Sequence, residues 1–238
     1  MFEIQPVEVG RRKADSSLFV YLTDAGTPIE VVYRFWILRG QKRIVLVDTG
    51  PPLEEARRRG FSDINDVDKL LGKAGVKPGA VDTVVLTHLH WDHAANAERF
   101  PNATFLAQEA EIDFFRSPVR RHPSLNRFFS HQDYLNRLID ARRIQKICGD
   151  QTIDKGLEAI RVGGHTPGSQ ILVIETGEGR AVIAGDAIPL HRNYTDNIPS
   201  GIAGDVYEAI EALNHVRKLQ AVVLYTGHDV NARHRTGE

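Results

Sequence analysis

The chain has 238 residues, of which 42% are hydrophobic and 26% charged, and its formal net charge is -1. This composition excludes wholesale disorder and gives no electrostatic argument for nucleic acid as a partner. No basic segment followed by an apolar stretch opens the chain, and no apolar run approaches the roughly 18 residues of a membrane span. We therefore expect no membrane partner and a cytoplasmic protein. The single cysteine, Cys148, fits a reducing compartment and is expected to be packed in the interior.

The apolar pattern predicts strands and helices in chain order, with strands in the core and helices outside. Residues rich in β-branched and aromatic types predict strands at 18–22, 29–38, 43–48, 81–86, 104–107, 157–162, 170–175, 181–184 and 221–225. Helical spacing predicts helices at 52–60, 67–74, 92–99, 109–116 and 205–219. No linker or repeat divides the chain, so we expect one domain over residues 1–238.

The segment 117–147 differs from the rest because it is dense in arginine and aromatic residues. Two interpretations stay open for it. It is either a helical cap over a functional site or an ordinary amphipathic helix pair with a solvated basic face. Its aromatic residues suit a substrate tunnel and a homodimer contact equally well.

The run from Thr87 to His93 places three histidines and an aspartate directly after the predicted strand 81–86. Residues two apart share one face of an extended backbone, so His88 and His90 can bind one ion. Asp92 and His93 open the next helix and point toward a second ion. The alternative is a surface run of polar residues.

Three later segments each place a ligand-type side chain in a turn after a predicted strand. These residues are His165, Asp186 and His228. Taken singly, each is more often a hydrogen-bonding turn residue. Together with the first motif they predict a metal site, in which the two oxygens of Asp186 can bridge two cations.

The motif H-x-H-x-D-H and the three later residues resemble the metallo-β-lactamase superfamily in type, order and approximate spacing. The resemblance implies an α/β (α+β) fold, a four-layer αββα sandwich with the site at one edge of its two sheets. It also implies that one metal is bound by His88, His90 and His165, the second by Asp92, His93 and His228, and both by the bridging Asp186. Imidazole-rich sites suit zinc, although iron, manganese or cobalt can fill the same site.

Three features distinguish branches of this superfamily. His90 stands where the oxygen-reducing di-iron branch has a carboxylate, and Asp186 stands where many true β-lactamases have a cysteine. Ligands for both metals are present, whereas persulfide dioxygenases use one metal position. The resemblance therefore favours a dinuclear hydrolase. The V-D-T-G run at 47–50 matches a further superfamily motif, which implies that Asp48 orients a ligand histidine.

Stretches at 81–108, 161–170 and 227–229 look like the N-acyl-homoserine lactonase family, with T-H-L-H-W-D-H-A-A-N, R-V-G-G-H-T-P-G-S-Q and G-H-D among them. This resemblance implies that the small-molecule substrate is a lactone and that N-acyl homoserine lactone is the leading candidate. Metal-bridging hydroxide would open the lactone ring. Asp186 or Asp92 would shuttle a proton to the leaving oxygen. The alternative substrates are another small ester, a thioester or a cyclic amide, and a glutathione thioester would require Arg120 or Arg121 to face the site. A nuclease and a non-catalytic binding protein are more distant alternatives.

One departure from the lactonase pattern concerns the donor to the lactone carbonyl. Lactonases of this kind carry a tyrosine shortly after the bridging aspartate, and this chain has Pro189 at the near position. Tyr194 and His191 are the candidates for the donor role. Either one can instead be a packed loop residue.

Overall fold

Two long antiparallel strands, β1 (Glu3–Asp15) and β2 (Pro28–Arg39), open the chain. The computed structural model describes residues 1–40, 43–129 and 132–236. The other strands of the first sheet are β3 (Ile44–Val47), β4 (Asp63–Ile64), β5 (Thr83–Val85), β6 (Thr104–Gln108) and β7 (Ile144–Ile147). Within the described residues the order of this sheet is β4-β1-β2-β3-β5-β6-β7, and β3, β5, β6 and β7 run parallel.

The second sheet is formed by the carboxyl-terminal part of the chain. Its strands are β8 (Gln151–Asp154), β9 (Leu157–Arg161), β10 (Gln170–Thr176), β11 (Gly179–Gly185), β12 (Val223–Thr226) and β13 (Arg233–Arg235). The described strands follow the order β13-β12-β11-β10-β9-β8, in which β11 and β12 are parallel neighbours.

Helices connect the strands and cover the outer faces of both sheets. They are α1 (Leu53–Arg58), α2 (Val67–Lys73), α3 (Trp91–Ala94), α4 (Glu109–Arg116), α5 (Pro123–Asn126), α6 (Gln132–Asp140), α7 (His191–Asp196) and α8 (Val206–Lys218). Short 3-10 turns form at Ser16–Leu18, Pro78–Ala80, Ala97–Arg99 and Val119–Arg121. Across residues 1–40, 43–129 and 132–236, every helix is too short or too polar to span a bilayer.

The apolar core is divided into layers by the two sheets. Between the sheets, Trp36 of β2 packs in one cluster with Leu172 of β10 and Ile183 of β11. Outside the first sheet the apolar cluster joins that sheet to α2, α4 and α6, and outside the second sheet it joins that sheet to α8. Burial of one face of each helix and both faces of each central strand gives the order helix, sheet, sheet, helix. The predicted αββα sandwich is confirmed.

The prediction of a strand at 18–22 is wrong. Ser17 donates its backbone N–H to Asp15 Oδ1 at 2.9 Å, which starts a 3-10 turn at Ser16–Leu18, and Phe19 and Val20 are buried in the turn that follows. The long strand β1 escaped prediction because its charged residues break the apolar alternation, and only a few of its residues are buried.

Three other predictions are corrected by the structure. The predicted helix 92–99 is interrupted after Ala94 and continues as a 3-10 turn at Ala97–Arg99. The segment 117–147 is helical only in part, because its last residues form the edge strand β7, and residues 130 and 131 of this segment lie outside the described residues. Cys148 is exposed rather than packed.

Candidate metal centre

The site lies where strands of both sheets end at the same edge of the sandwich. Asp48 follows β3 and the run 87–93 follows β5, and these strands are parallel neighbours. In the second sheet, Asp186 follows β11 and His228 follows β12, which are also parallel neighbours. Because the carboxyl ends of parallel strands meet at one edge, residues distant in sequence become neighbours there.

The structure brings together all seven residues that were predicted as metal ligands. The first-sheet half of the site is His88, His90, Asp92 and His93, and the second-sheet half is His165, Asp186 and His228. Three groups of these residues could each hold a metal ion, because the ligand atoms within each group lie within 4.8 Å of one another. The groups are His88, His90 and His165; His88, His93 and Asp186; and Asp92, His93 and His228.

Contacts between the two halves are short. His165 Nε2 lies 3.0 Å from His90 Nδ1, and His93 Nε2 lies 3.3 Å from Asp186 Oδ1. Within the second-sheet half, His228 Nε2 lies 3.0 Å from Asp186 Oδ1. The other oxygen of Asp186, Oδ2, lies 3.4 Å from His165 Nε2. Asp186 therefore reaches both the His165 side and the His228 side of the cluster.

The chemistry of this donor set fits metal ions. Nε2 of His88 and Nε2 of His93 are buried and make no hydrogen bond within the described residues. The second of these atoms lies only 3.3 Å from Asp186 Oδ1, but it is not aligned for a hydrogen bond. Buried nitrogen atoms without partners are costly, and a cation at the point they face would satisfy them.

The charge states of the cluster also suit a cation. Burial lowers the pKa values of His88 and His90 well below the usual range, and neighbouring imidazoles lower them further. Burial alone would raise the pKa of Asp186, but His228 and His93 hold it well below its usual range. Burial opposes protonation of His93, yet Asp186, Asp92 and Asp48 raise its pKa well above the usual range. A bound cation would take the place of that proton, since metal ligation requires the neutral imidazole.

Asp48 holds the first-sheet half through contacts with His93 and Thr87. Its Oδ2 lies 2.8 Å from His93 Nδ1, and its Oδ1 accepts the backbone N–H of Thr87 at 2.7 Å. The Thr87 hydroxyl donates to Oδ2 of the same carboxylate at 2.8 Å. Complete burial raises the pKa of Asp48, although these contacts oppose the shift. The carboxylate fixes the ring of His93 with Nε2 toward the cluster, as is typical of residues that orient a metal ligand.

Glu111 of α4 is a buried carboxylate that joins the two halves. It accepts the backbone N–H of Leu89 at 2.9 Å, and it also accepts the Thr166 hydroxyl at 2.6 Å and the Gly168 N–H at 3.1 Å. A Cβ at Gly168 would lie 2.2 Å from the backbone nitrogen of Glu111, so this close approach requires glycine. Glu111 was not predicted from the sequence. Its signal is a charge four residues before the buried Phe115, on the apolar side of α4.

Backbone carbonyls and a buried arginine hold the second-sheet half. Nδ1 of His165 lies 2.6 Å from Ile202 O, and Nδ1 of His228 lies 3.0 Å from Val32 O. Arg34 of β2 donates to the carbonyls of Thr226 at 3.1 Å and Gly227 at 3.2 Å, and also to that of Asp229. Burial lowers the pKa of Arg34 to about 10. Arg34 was also missed. Its signal is a single cation within the apolar run of β2.

The structure does not bring Tyr194 and His191 to the seven-residue cluster. The Tyr194 ring lies 4.7 Å from the Arg217 guanidinium, against the apolar cluster between the second sheet and α8. The His191 ring stacks on His234 with centroids 3.9 Å apart. In the described part of the chain, no hydrogen bond or ring contact joins either candidate donor to the seven residues.

The ring of Tyr33 of β2 packs on His228 of the cluster. Its ring centroid lies 4.6 Å from that of His228, and its hydroxyl accepts a hydrogen bond from Arg12 Nε at 3.0 Å. Burial raises the pKa of Tyr33, and the charge of Asp92 raises it further. The sequence carried no local signal for this placement, because only the course of β2 past the site brings Tyr33 there.

An apolar cavity of about 390 Å³ adjoins the His90 and His165 side of the cluster. The His90 ring stacks on Phe128 with centroids 5.0 Å apart. One wall comes from the segment after α4 and from α4 itself, and its residues are Phe114, Val119, Leu125, Phe128 and Phe129. The opposite wall comes from residues 164–167 and 202–205. Part of the segment 117–147 therefore borders the site.

Comparison with known proteins agrees with this architecture. The family model of the metallo-beta-lactamase superfamily matches residues 31–228. An N-acyl homoserine lactonase of a Bacillus species is 25% identical over 94% of this chain and 92% of its own length. A probable metallo-hydrolase of Methanocaldococcus jannaschii is 32% identical over 78% of this chain and 70% of its own length.

Solved structures show the same fold. A quorum-quenching N-acyl homoserine lactone lactonase superposes with a TM-score of 0.82 at 21% identity, covering 95% of this chain and 92% of that one. AidC, a dizinc quorum-quenching lactonase, superposes with a TM-score of 0.78 at 17% identity, covering 99% of this chain and 90% of that one. With the family model matching most of its length, the chain belongs to the metallo-beta-lactamase superfamily, and the sequence-based assignment to this superfamily of hydrolases is confirmed.

Proposed function

We propose that this chain is a metal-dependent hydrolase that opens lactone rings, with N-acyl homoserine lactones as the first candidate substrates. The observation that carries the proposal is the buried cluster of five histidines and two aspartates with ligand nitrogens that lack hydrogen-bond partners within the described residues. The choice of substrate is supported by relatives named N-acyl homoserine lactonase that align over 94% of the chain.

The seven residues divide naturally between two ions. His88, His90 and His165 would hold one, Asp92, His93 and His228 would hold the other, and Asp186 would contact both because its two oxygens face different histidines. Divalent cations such as zinc supply Lewis-acid polarisation of a carbonyl and lower the pKa of water toward about 7 when bound.

The chain's own carboxylates provide the proton relay. Hydrolysis of a lactone forms a bond from a water oxygen to the carbonyl carbon, breaks the ring C–O bond and delivers a proton to the leaving oxygen. Neighbouring histidines hold the pKa values of Asp92 and Asp186 below the usual range against the effect of burial, which favours the carboxylate form of both. Either carboxylate can accept the water proton at an Oδ atom and pass it to the leaving alkoxide, which yields the hydroxy acid.

The cavity beside His90 supports a substrate with an apolar substituent. Its phenylalanine, leucine and valine side chains suit an aliphatic acyl chain, and it opens directly onto His90 and His165. Arg120 does not serve this cavity as a free cation, because it donates to the Phe115 carbonyl at 2.7 Å and to Asn126 Oδ1 at 3.0 Å. This engagement weighs against Arg120 as a binding group for the carboxylates of a glutathione thioester.

The test is proton release by the zinc-loaded protein, followed with a pH indicator, on a long-chain N-acyl homoserine lactone and on a simple aryl ester. We expect lactone turnover with kcat/KM above about 10⁴ M⁻¹s⁻¹, within the usual enzyme range. Turnover of the ester alone would retain a hydrolase and reject the lactone. Elemental analysis of the purified protein tests the predicted zinc, and two equivalents are expected.

A further inference from the structure

Strand β2 extends past the edge of the sheet at which the site lies. Trp36 pairs with Val47, the last residue of β3, so the residues of β2 before Trp36 run on beside the site. Tyr33 is three positions further along this extension. Its ring is 3% exposed and is fixed between the rings of Phe61 at 4.6 Å and His228 at 4.6 Å.

The hydrogen bonds of the Tyr33 hydroxyl are incomplete. A tyrosine hydroxyl accepts hydrogen bonds and has one proton to donate. The oxygen accepts from Arg12 Nε, and within the described residues the proton has no acceptor. Because the side chain is almost wholly buried, an unused donor is costly unless a ligand completes it.

Arg12 increases the donor strength of this hydroxyl. Its guanidinium lies 5.6 Å from the Tyr33 ring centroid and 5.8 Å from that of Phe61. In the described part of the chain, no carboxylate lies within ion-pair distance of Arg12, so its charge is not neutralised by a partner. A cation that donates to a hydroxyl oxygen polarises the O–H bond and makes its proton a better donor.

We propose that Tyr33 donates a hydrogen bond to the substrate carbonyl oxygen at the Asp92–His228 side of the site, and that Arg12 positions and polarises the hydroxyl. The inference rests on the proposed function. The carbonyl oxygen gains negative charge as water attacks, so the hydrogen bond strengthens in the transition state. The proton remains on Tyr33 throughout, and no covalent bond to the residue forms or breaks.

The first test compares Tyr33→Phe with Tyr207→Phe, which removes the same atom from a side chain 80% exposed on α8. Tyr33→Phe is expected to lower kcat for the lactone about 100- to 1,000-fold, as loss of one donor to an oxyanion does, with little change in KM. Metal content and melting temperature should stay at wild-type values, and Tyr207→Phe should keep wild-type kcat. An unchanged kcat in Tyr33→Phe, or a loss confined to Tyr194→Phe, would overturn the inference.

A second readout does not depend on turnover. The ring-opened hydroxy acid retains the former carbonyl oxygen in its carboxylate, and Trp91 lies 5.9 Å from Tyr33 as a fluorescent reporter. Titration with this product should give a Kd about tenfold weaker for Tyr33→Phe than for the wild type, the loss expected for one charge-assisted hydrogen bond. Equal Kd values together with equal kcat values would reject the hydrogen bond.

The positioning role of Arg12 is tested by a double-mutant cycle. If Arg12 acts through Tyr33, the single variant Arg12→Met has a lower kcat than the wild type. The same substitution then has little further effect on kcat in a Tyr33→Phe background. A merely structural role would give additive losses.

Failure of the proposed function is distinguishable from failure of this inference. A wild type that turns over the aryl ester but not the lactone rejects the lactone, and the Tyr33→Phe comparison on the ester then decides the inference, because the same carbonyl oxygen gains charge. A metal-loaded wild type that hydrolyses neither substrate overturns both.

Discussion

The two halves of the site are built in different ways. The first-sheet half takes four side chains from one run of six residues, and buried carboxylates anchor it, with Asp48 on His93 and Glu111 on the backbone of Leu89. The second-sheet half takes one side chain from each of three loops, and backbone carbonyls and a guanidinium anchor it.

This difference shows how the side chains of a short motif and those of separate loops are both held in position. A compact run needs only one or two contacts to orient it, because its residues already share a backbone. Separate loops need separate contacts, and the chain uses the carbonyls of Ile202 for His165 and Val32 for His228, together with Arg34 for the loop of His228. From outside the seven-residue cluster, the carboxylate of Glu111 contacts both halves.

Removal of a proposed ligand should have the largest effect on this arrangement. Asp186→Ala and His90→Ala are each expected to lower kcat/KM by more than about 100-fold, beyond the loss typical of supporting partners. Metal content should fall, most of all for Asp186→Ala, because Asp186 contacts both sides of the cluster. Asp196→Ala on the exposed face of α7 serves as the control. Full metal content and near-wild-type rate in a variant would remove that residue from the site.

Glu111→Gln should break one of the two connections by which Glu111 links the halves. The amide nitrogen cannot accept the donors that the carboxylate oxygen accepts, so one loop loses its tie. We expect metal affinity or kcat/KM to fall by up to about 100-fold. The free energy of unfolding should fall by about 1–3 kcal/mol, measured by denaturant titration. Glu109→Gln, at a half-exposed side chain in the same turn of α4, is the matched control, and equal behaviour of the two variants would contradict the role of Glu111.

Asp48→Asn should weaken only one ion. The neutral amide no longer stabilises the orientation of His93, while the contact between His90 and His165 is retained. We expect the affinity for the ion assigned to Asp92, His93 and His228 to fall about 10- to 100-fold, measured by competition with a chromogenic chelator. Equal weakening of both ions would show that the halves are not independent.

Arg34→Met should affect the second-sheet half alone, and less strongly. It leaves the carbonyls of Thr226, Gly227 and Asp229 without this donor and loosens the loop of His228. We expect kcat/KM to fall about tenfold. Arg34→Lys, which keeps the charge but not the fork of donors, should recover part of the loss. A fall in the affinity for the ion assigned to His88, His90 and His165 would contradict the role of Arg34 in positioning His228.

Changes to the apolar cavity should have the smallest effect. Leu125→Trp fills space beside His90, whereas Leu125→Ala enlarges it. If acyl chains occupy the cavity, Leu125→Trp raises KM for long-chain lactones by several-fold, on the order of 1 kcal/mol, and leaves short-chain lactones unchanged. Leu125→Ala should shift the preference toward longer chains. The same change in KM for lactones of every acyl-chain length would show that the acyl chain does not bind in this cavity.

Much of the fold followed from local pattern. The strands β2, β5, β10 and β11 and the helices α4 and α8 were predicted because their apolar periodicity is clear. The strand β1 was not predicted, because partners on both sides stabilise it despite its charged residues. The residues 18–22 were predicted as a strand from their apolar content, and the Asp15 carboxylate instead caps a turn there.

The sequence by itself determined which side chains form the cluster, because four of them lie in one short run and the other three follow strands in turns rich in glycine. Only the tertiary structure decided which residues surround them. Tyr33 and Arg34 lie beside His228 because β2 runs past the end of β3, and Glu111 reaches Leu89 because α4 packs against the loop of Gly168. These contacts join residues far apart in the chain, and such pairings depend on sheet order and helix packing rather than on local periodicity.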